Sequence, residues 1–146
     1  MKPADKQGPA TPGSAPVFRQ LLDAAAAEPQ PQRLLFVFVG TELPAGASAE
    51  QAARHGAGQG GTLTPRACVD KGLDELGSFE SLVEESRQAC PPWGMVFIAA
   101  LSGQAGRPPA AQAVDAALRR MVENIQAGRL AGYLVLDERG EPLRFT

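Results

Sequence analysis

Histidine, tryptophan and tyrosine each occur once in this chain of 146 residues, and cysteine only twice. A Ser–His–Asp or Cys–His nucleophile system would therefore have to use His55, which lies in the most glycine-rich stretch, where a base is hard to position. Cys68 and Cys90 have no paired spacing, so a zinc site would need both of them, His55 and a carboxylate. No metal and no cofactor is expected. Long apolar runs are missing too. The longest, Leu34–Val39 and Met95–Leu101, fall far short of the ~20 residues a membrane span needs. The opening MKPADKQGPATPGSAP lacks the apolar stretch of a secretory signal, and two cysteines without an export signal suggest a reducing compartment. A cytoplasmic protein without a membrane partner is the expectation.

Charge of one sign is scarce as well: the net charge is −2, too weak to hold a phosphate backbone. The densest basic group, Arg119, Arg120 and Arg129, has no interleaved aromatic platform, so no nucleic-acid partner is expected. What remains is an ordinary globular composition, 44% apolar and 21% charged. A chain of this length can bury roughly 68–70% of its unfolded surface.

Residues 1–16 hold four of the 13 prolines and few apolar side chains, which predicts a disordered tail before a single domain over 17–146. Phe18, Leu21, Leu22 and Ala25 fall at helical spacing, and Pro29 and Pro31 end that helix. Arg33–Val39 reads as a strand covered on both faces. Ser48-Ala-Glu-Gln51 has capping-box spacing and predicts a short helix near 49–54. A second strand is expected near 63–70. Ser78 is a good N-cap for a helix whose inner face is Phe79, Leu82, Val83, Ser86 and Cys90, stopped by Pro91-Pro92. Met95–Leu101 is the third strand. Val114, Leu118, Met121, Val122 and Ile125 stripe a third helix, with Gly128 at its C-terminal end. Tyr133–Leu136, the turn 137–140 and Leu143–Phe145 read as a C-terminal hairpin, with Gly140 supplying positive φ and Pro142 marking an edge. Two successive strand–helix–strand units make the second, third and fourth strands parallel, with the first strand and the final hairpin free to run antiparallel. The expectation is an α/β domain with a mixed sheet of about five strands and three main helices, α+β being the alternative.

The stretch His55-Gly-Ala-Gly-Gln-Gly-Gly61 has the composition of a phosphate loop but not its context. It follows helix-like residues and precedes a strand, the reverse of the order that aims backbone N–H groups at phosphate, and so reads as a surface loop. Glu84 and Glu85, adjacent on a helix, point apart and make no carboxylate pair for hydrolysis. The segment 64–71 is more informative. On a strand, Cys68 and Asp70 share one face and Ala67, Val69 and Lys71 the other. A lysine near an aspartate at a strand's carboxyl end can serve as acid or base when burial lowers its pKa. The loop Ser102-Gly103-Gln104 should leave its strand at the same end, where α/β sheets bind ligands. Cys68 as a small core side chain and Asp70–Lys71 as a solvated strand end is the plainer reading. Trp93 is either core edge or an interface anchor. Either thiol could also act as a redox sensor if its pKa were low.

The segments PQRLLFVFV, LTPRACVDK, SFESLVEESRQACPPW, VFIAALSG and MVENIQAG…LVLDERGEP resemble a family of small proteobacterial proteins often labelled ribonucleotide reductase alpha subunit. The resemblance covers nearly the whole chain after the tail. A large radical-bearing barrel with several cooperating cysteines cannot be built from 146 residues with Cys68 and Cys90 far apart, so the resemblance carries over no catalytic residue. A second likeness, to SseB-type domains, lies in a helix before an apolar strand, a strand-end LTP ahead of a helix beginning near Ser-Phe, and a closing YLVLDERG. It implies a non-enzymatic adaptor. The function expected is therefore a protein-interaction or regulatory module, self-association included. The alternative is a small enzyme or ligand-binding domain built on Cys68, Asp70 and Lys71.

Overall fold

The structure, a computed structural model, describes residues 16–42 and 62–144. The expected tail up to residue 15, the short helix near 49–54, the glycine stretch with His55, and Phe145 lie outside the described residues. Pro16 opens the first helix, α1 (Pro16–Ala26). There follow β1 (Gln32–Glu42), β2 (Thr62–Gly72), a single 3-10 turn at Leu73–Glu75, α2 (Phe79–Ala89), β3 (Met95–Ser102), α3 (Ala111–Gln126) and β4 (Leu134–Asp137). Ser78 caps α2 as its sequence position suggests: its side chain accepts the Ser81 N–H at 3.1 Å. Past α3, Gly128 takes φ +78° and donates its N–H to the Ile125 carbonyl, which satisfies one of the carbonyls left open at a helix end.

Among the described residues four strands form one sheet in the order β2-β1-β3-β4. Every neighbouring pair is antiparallel, which corrects the mixed sheet of about five strands. β2 and β3 do run the same way, on either side of β1, but β4 runs against both. A strand–helix–strand pattern specifies element types and leaves direction open when the helix packs far from its own strands. Here α3 lies over β1 and β2, and residues 127–133 bring the chain back to the edge of β3. Of the expected C-terminal hairpin, the described residues show the turn and the start of the return. Gly140 has φ +84°, and the returning chain meets β4 through one bridge, Leu136 with Pro142, and two hydrogen bonds, Leu143 N–H to Val135 O and Asp137 N–H to Glu141 O. Pro142 has no N–H to extend a ladder.

Strand alternation builds the core on both faces of the sheet. Leu34, Phe36 and Phe38 point to α1 and α2, joining Phe18, Phe79, Leu82, Trp93, Val96 and Ile98. Leu35, Val37 and Val39 point to α3, joining Met95, Phe97, Val114, Met121 and Ile125. All six side chains of Leu34–Val39 are at most 1% exposed, as an apolar run without alternation requires. Phe18 packs on Phe79 at 5.3 Å between ring centroids, and Phe38 on Trp93 at 4.9 Å, separations within the favourable range for tilted aromatic pairs.

Candidate functional site

β1 begins where β2 and β3 end, so three chain segments meet at one end of the sheet. Arg33 stands opposite Gly72 on one side and Leu101 on the other, and Gln32 opposite Ser102. This gathers the polar residues singled out in the sequence, but β2 then parts them. Asp70 pairs with Leu35 and so faces α3, whereas Lys71 pairs with Leu34 and faces α1 and α2.

On the α3 side, Arg33 Nε donates to Asp70 Oδ2 at 2.5 Å, and its Nη2 lies 3.3 Å from Glu75 Oε1. The same Glu75 oxygen accepts the Gly72 N–H at 2.7 Å, which ties the 3-10 turn to the end of β2. The bond to Asp70 is the main reason the Arg33 pKa rises above its ordinary value; burial opposes it, and the charges of Asp70, Glu75 and Asp74 add to it. On the other face, Lys71 Nζ meets Glu85 Oε2 of α2 at 3.1 Å, with only 17% of the Lys71 side chain exposed. Each of these charged groups therefore lies against an opposite charge. Asp70 and Lys71 do not converge on a common point, as an acid–base pair must.

Ser102, Gly103 and Gln104 knit the loop that ends β3 to the start of β1. Gln32 Nε2 donates to Ser102 Oγ at 2.6 Å and to the Gln30 carbonyl at 3.0 Å. Gly103 donates to the Pro31 carbonyl. A side chain at Gly103 would collide with the Arg107 carbonyl, so only glycine fits this close approach. Gln104 bridges to Arg107 around Ala105 and Gly106, both at positive φ, and Gly106 N–H donates to Gln30 Oε1. Beside this loop lies a shallow depression of about 300 Å³ lined by Pro29, Gln30, Pro31, Gln32, Leu73 and Gly106.

The cysteines and the tryptophan lie elsewhere. Cys68 is exposed, which corrects its reading as a core side chain: β2 is the outermost strand, and on the α3 side its middle meets solvent. What partial burial the Cys68 thiol does have pushes it above its ordinary pKa. Cys90, just past α2, is half-buried and donates to the Pro91 carbonyl at 3.2 Å. Its thiol is also pushed up by burial, with Arg66 pulling part of the way back. A raised pKa means less thiolate at neutral pH, the opposite of what a redox sensor needs. Trp93 is 7% exposed and donates Nε1–H to Ser86 Oγ at 2.8 Å. It is core and not an exposed interface anchor. It forms one wall of a cavity of about 230 Å³ shared with Arg87, Cys90, Pro91, Pro92 and Glu138. Among the described residues no group of three His, Cys, Asp or Glu side chains is placed to hold a metal ion, and no helix is long and apolar enough to cross a membrane.

Sequence reasoning missed Arg33 as the partner of Asp70, and Glu75 beside it, and it weighed Glu85 only against Glu84 and not as the partner of Lys71. A lone arginine opening an apolar strand was the available signal for Arg33, but its pairing with Asp70 needs the β1–β2 register. Missed as well was the edge of the sheet. Gly94 donates to the Val39 carbonyl and Gly103 to the Pro31 carbonyl, so odd-numbered residues of β1 turn their backbone groups to β3 and even-numbered ones to β2. The partners of the even residues, Ala67, Val69 and Lys71, therefore face β1, and the backbone groups of Cys68 and Asp70 point outward. No family model, curated protein or solved structure matches the chain.

Proposed function

We propose that this chain is a protein-interaction module that engages a polypeptide through the outer edge of β2. The observation that carries the reading is that edge. β2 runs for 11 residues at the end of the sheet, about twice the usual strand length, with Cys68 and Asp70 presenting outward N–H and C=O groups. Among the described residues no strand pairs with this edge, and an outer strand of that kind is a template for a further strand, the physical basis of β-augmentation. The likeness to SseB-type domains supports an adaptor role as well. Two free thiols agree with a reducing compartment such as the cytoplasm. Affinity capture of the full chain from its own cells tests the reading. A polypeptide retained in defined stoichiometry, and lost when Cys68→Pro removes an outward N–H, is the expected result. A co-purified small molecule with no polypeptide would overturn it in favour of a ligand-binding or catalytic domain.

A further inference from the structure

The edge of β2 also carries information about which polypeptide it fits. Its open stretch is bounded at both ends. Pro65 has no N–H to offer, the register shifts between Phe38 and Val39 opposite it, and the outward Gly72 N–H is already taken by Glu75. Between these limits Cys68 and Asp70 supply the outward groups, with Val69 midway between them. A two-fold axis through Val69 would set Cys68 of one copy against Asp70 of another, and Asp70 against Cys68. All the outward groups of this stretch would then be used at once, each pair exchanging two hydrogen bonds as antiparallel strands do. An axis through Cys68 would instead send Asp70 to residue 66, where the bulge breaks the alternation.

We infer that the occupant of this edge is a second copy of the same chain, paired antiparallel through β2 about Val69 into a continuous eight-stranded sheet, the proposal resting on the interaction reading above. Four observations favour a second copy. The stretch is self-complementary, which an isologous two-fold interface requires. At the axis the two Val69 side chains form a β-branched cross-strand pair, a favourable one, on the side that already packs against the apolar core. The opposite edge of the sheet is closed by the returning residues 141–143 and Pro142, so pairing stops at two copies and does not run on into a fibre. A net charge of −2 gives little long-range repulsion between copies. The chain's own connection 43–61 is a poorer candidate, since its six alanines and five glycines are weak strand formers.

So short a contact falls below the standard interface size, which places the affinity at micromolar or weaker. Amide exchange followed by NMR on the full chain is the direct test. The Cys68 and Asp70 amides should exchange freely in dilute protein and gain at least about tenfold protection as concentration rises through the dimer transition seen by sedimentation. Cys68→Pro keeps the β1 ladder, because the group it removes points outward, and should sediment as a monomer with unchanged far-UV circular dichroism. Across the proposed axis the two Cys68 Cα atoms would lie ~9 Å apart, from the strand rise and the pair spacing. A short bis-maleimide should therefore link Cys90→Ser protein into covalent dimers and leave Cys68→Ser protein unlinked. Protection of both amides at the lowest concentration would assign the edge to the chain's own residues and overturn the proposal. So would a strict monomer up to about 1 mM, or dimers linked through Cys90. A monomer that still captures a different polypeptide through β2 would overturn the self-pairing alone and leave the interaction reading standing.

Discussion

Ser86 and Trp93 form a buried hydrogen bond whose loss should be measurable. Ser86 is 6% and Trp93 7% exposed. The serine Oγ accepts the indole N–H at 2.8 Å and donates its own proton to the Val83 carbonyl at 2.7 Å. Ser86→Ala leaves the indole N–H buried without an acceptor, which costs about 1–3 kcal/mol. The better helix propensity of alanine returns up to about 0.5 kcal/mol. The net loss expected is about 1–2 kcal/mol. At about 2–4 °C per kcal/mol for a domain near 150 residues, Tm falls by roughly 2–8 °C.

Trp93 is the only tryptophan, so urea unfolding of wild type and Ser86→Ala can be followed by its fluorescence, with native emission shifting in the variant. Trp93→Phe removes the donor and part of the ring that packs on Phe38 at 4.9 Å. Its unfolding is followed by far-UV circular dichroism. In a double-mutant cycle the two substitutions should couple by at least about 0.5 kcal/mol, because each removes one partner of the same bond. Additivity within about 0.3 kcal/mol, or a Ser86→Ala loss below about 0.5 kcal/mol, would refute the assignment of Trp93 to the core through this bond.

Ala105 has φ +54° beside Gly106 at φ +75°, the two-residue hairpin geometry that favours Asn-Gly. Ala105→Asn should raise the stability by about 0.5–1 kcal/mol, read as a higher urea midpoint with an unchanged slope; a lowered midpoint would contradict the strain. Gly103→Ala should cost more than about 2 kcal/mol, read as a fall in Tm, because its methyl group meets the Arg107 backbone and no side chain can yield. The thiols predict an alkaline limb. Cys68 and Cys90 both titrate above their ordinary 9.0 in the folded chain, so the folded state holds these protons to higher pH than the unfolded one. Their contribution is fully present below the unfolded pKa and is lost as pH rises through the folded values. Denaturation at pH 7 and pH 10 should show a smaller loss for the Cys68→Ser/Cys90→Ser chain than for wild type, and equal losses would count against it.

The elements were legible where one local pattern decides them. An unbroken apolar run at Leu34–Val39 implies cover on both faces, and a serine before Phe79 implies a cap. Period-two reading also placed Asp70 and Lys71 on opposite faces of β2. Strand direction was not legible, because α3 carries the same stripe whether it returns the chain parallel or antiparallel to β3. The position of β2 at the edge was not legible either, since Cys68 suits a buried strand as well as an outer one. Trp93 could be read two ways until Ser86, seven residues earlier on the inner face of α2, was seen to meet its N–H. The partners of the charged residues depend on register between strands far apart in sequence, which no local window contains.

That register explains what the charges at this end of the sheet do. Sliding β2 by one residue along β1 would turn Asp70 toward α1 and α2 and Lys71 toward α3, separating Arg33 from Asp70 and Lys71 from Glu85 in one step. The apolar run of β1 specifies register weakly, because both its faces are buried and both accept hydrophobic partners. The ion pairs therefore penalise the slipped pairing more than they stabilise the native one, a role in specificity attested for buried polar groups elsewhere. Their direct contribution is small. With side chains 29% and 33% exposed, the Arg33–Asp70 pair should couple by about 1 kcal/mol or less at low salt and less as salt is added. Arg33→Asp alone sets a third carboxylate against Asp70 and Glu75 and should destabilise by more than the pair is worth. Adding Asp70→Arg restores opposite charges across the same register and should recover most of the loss, with the Lys71–Glu85 contact unchanged by NMR. Failure of the swap to recover stability, with β2 still in its native register, would mean that hydrophobic packing alone sets the pairing of β1 and β2.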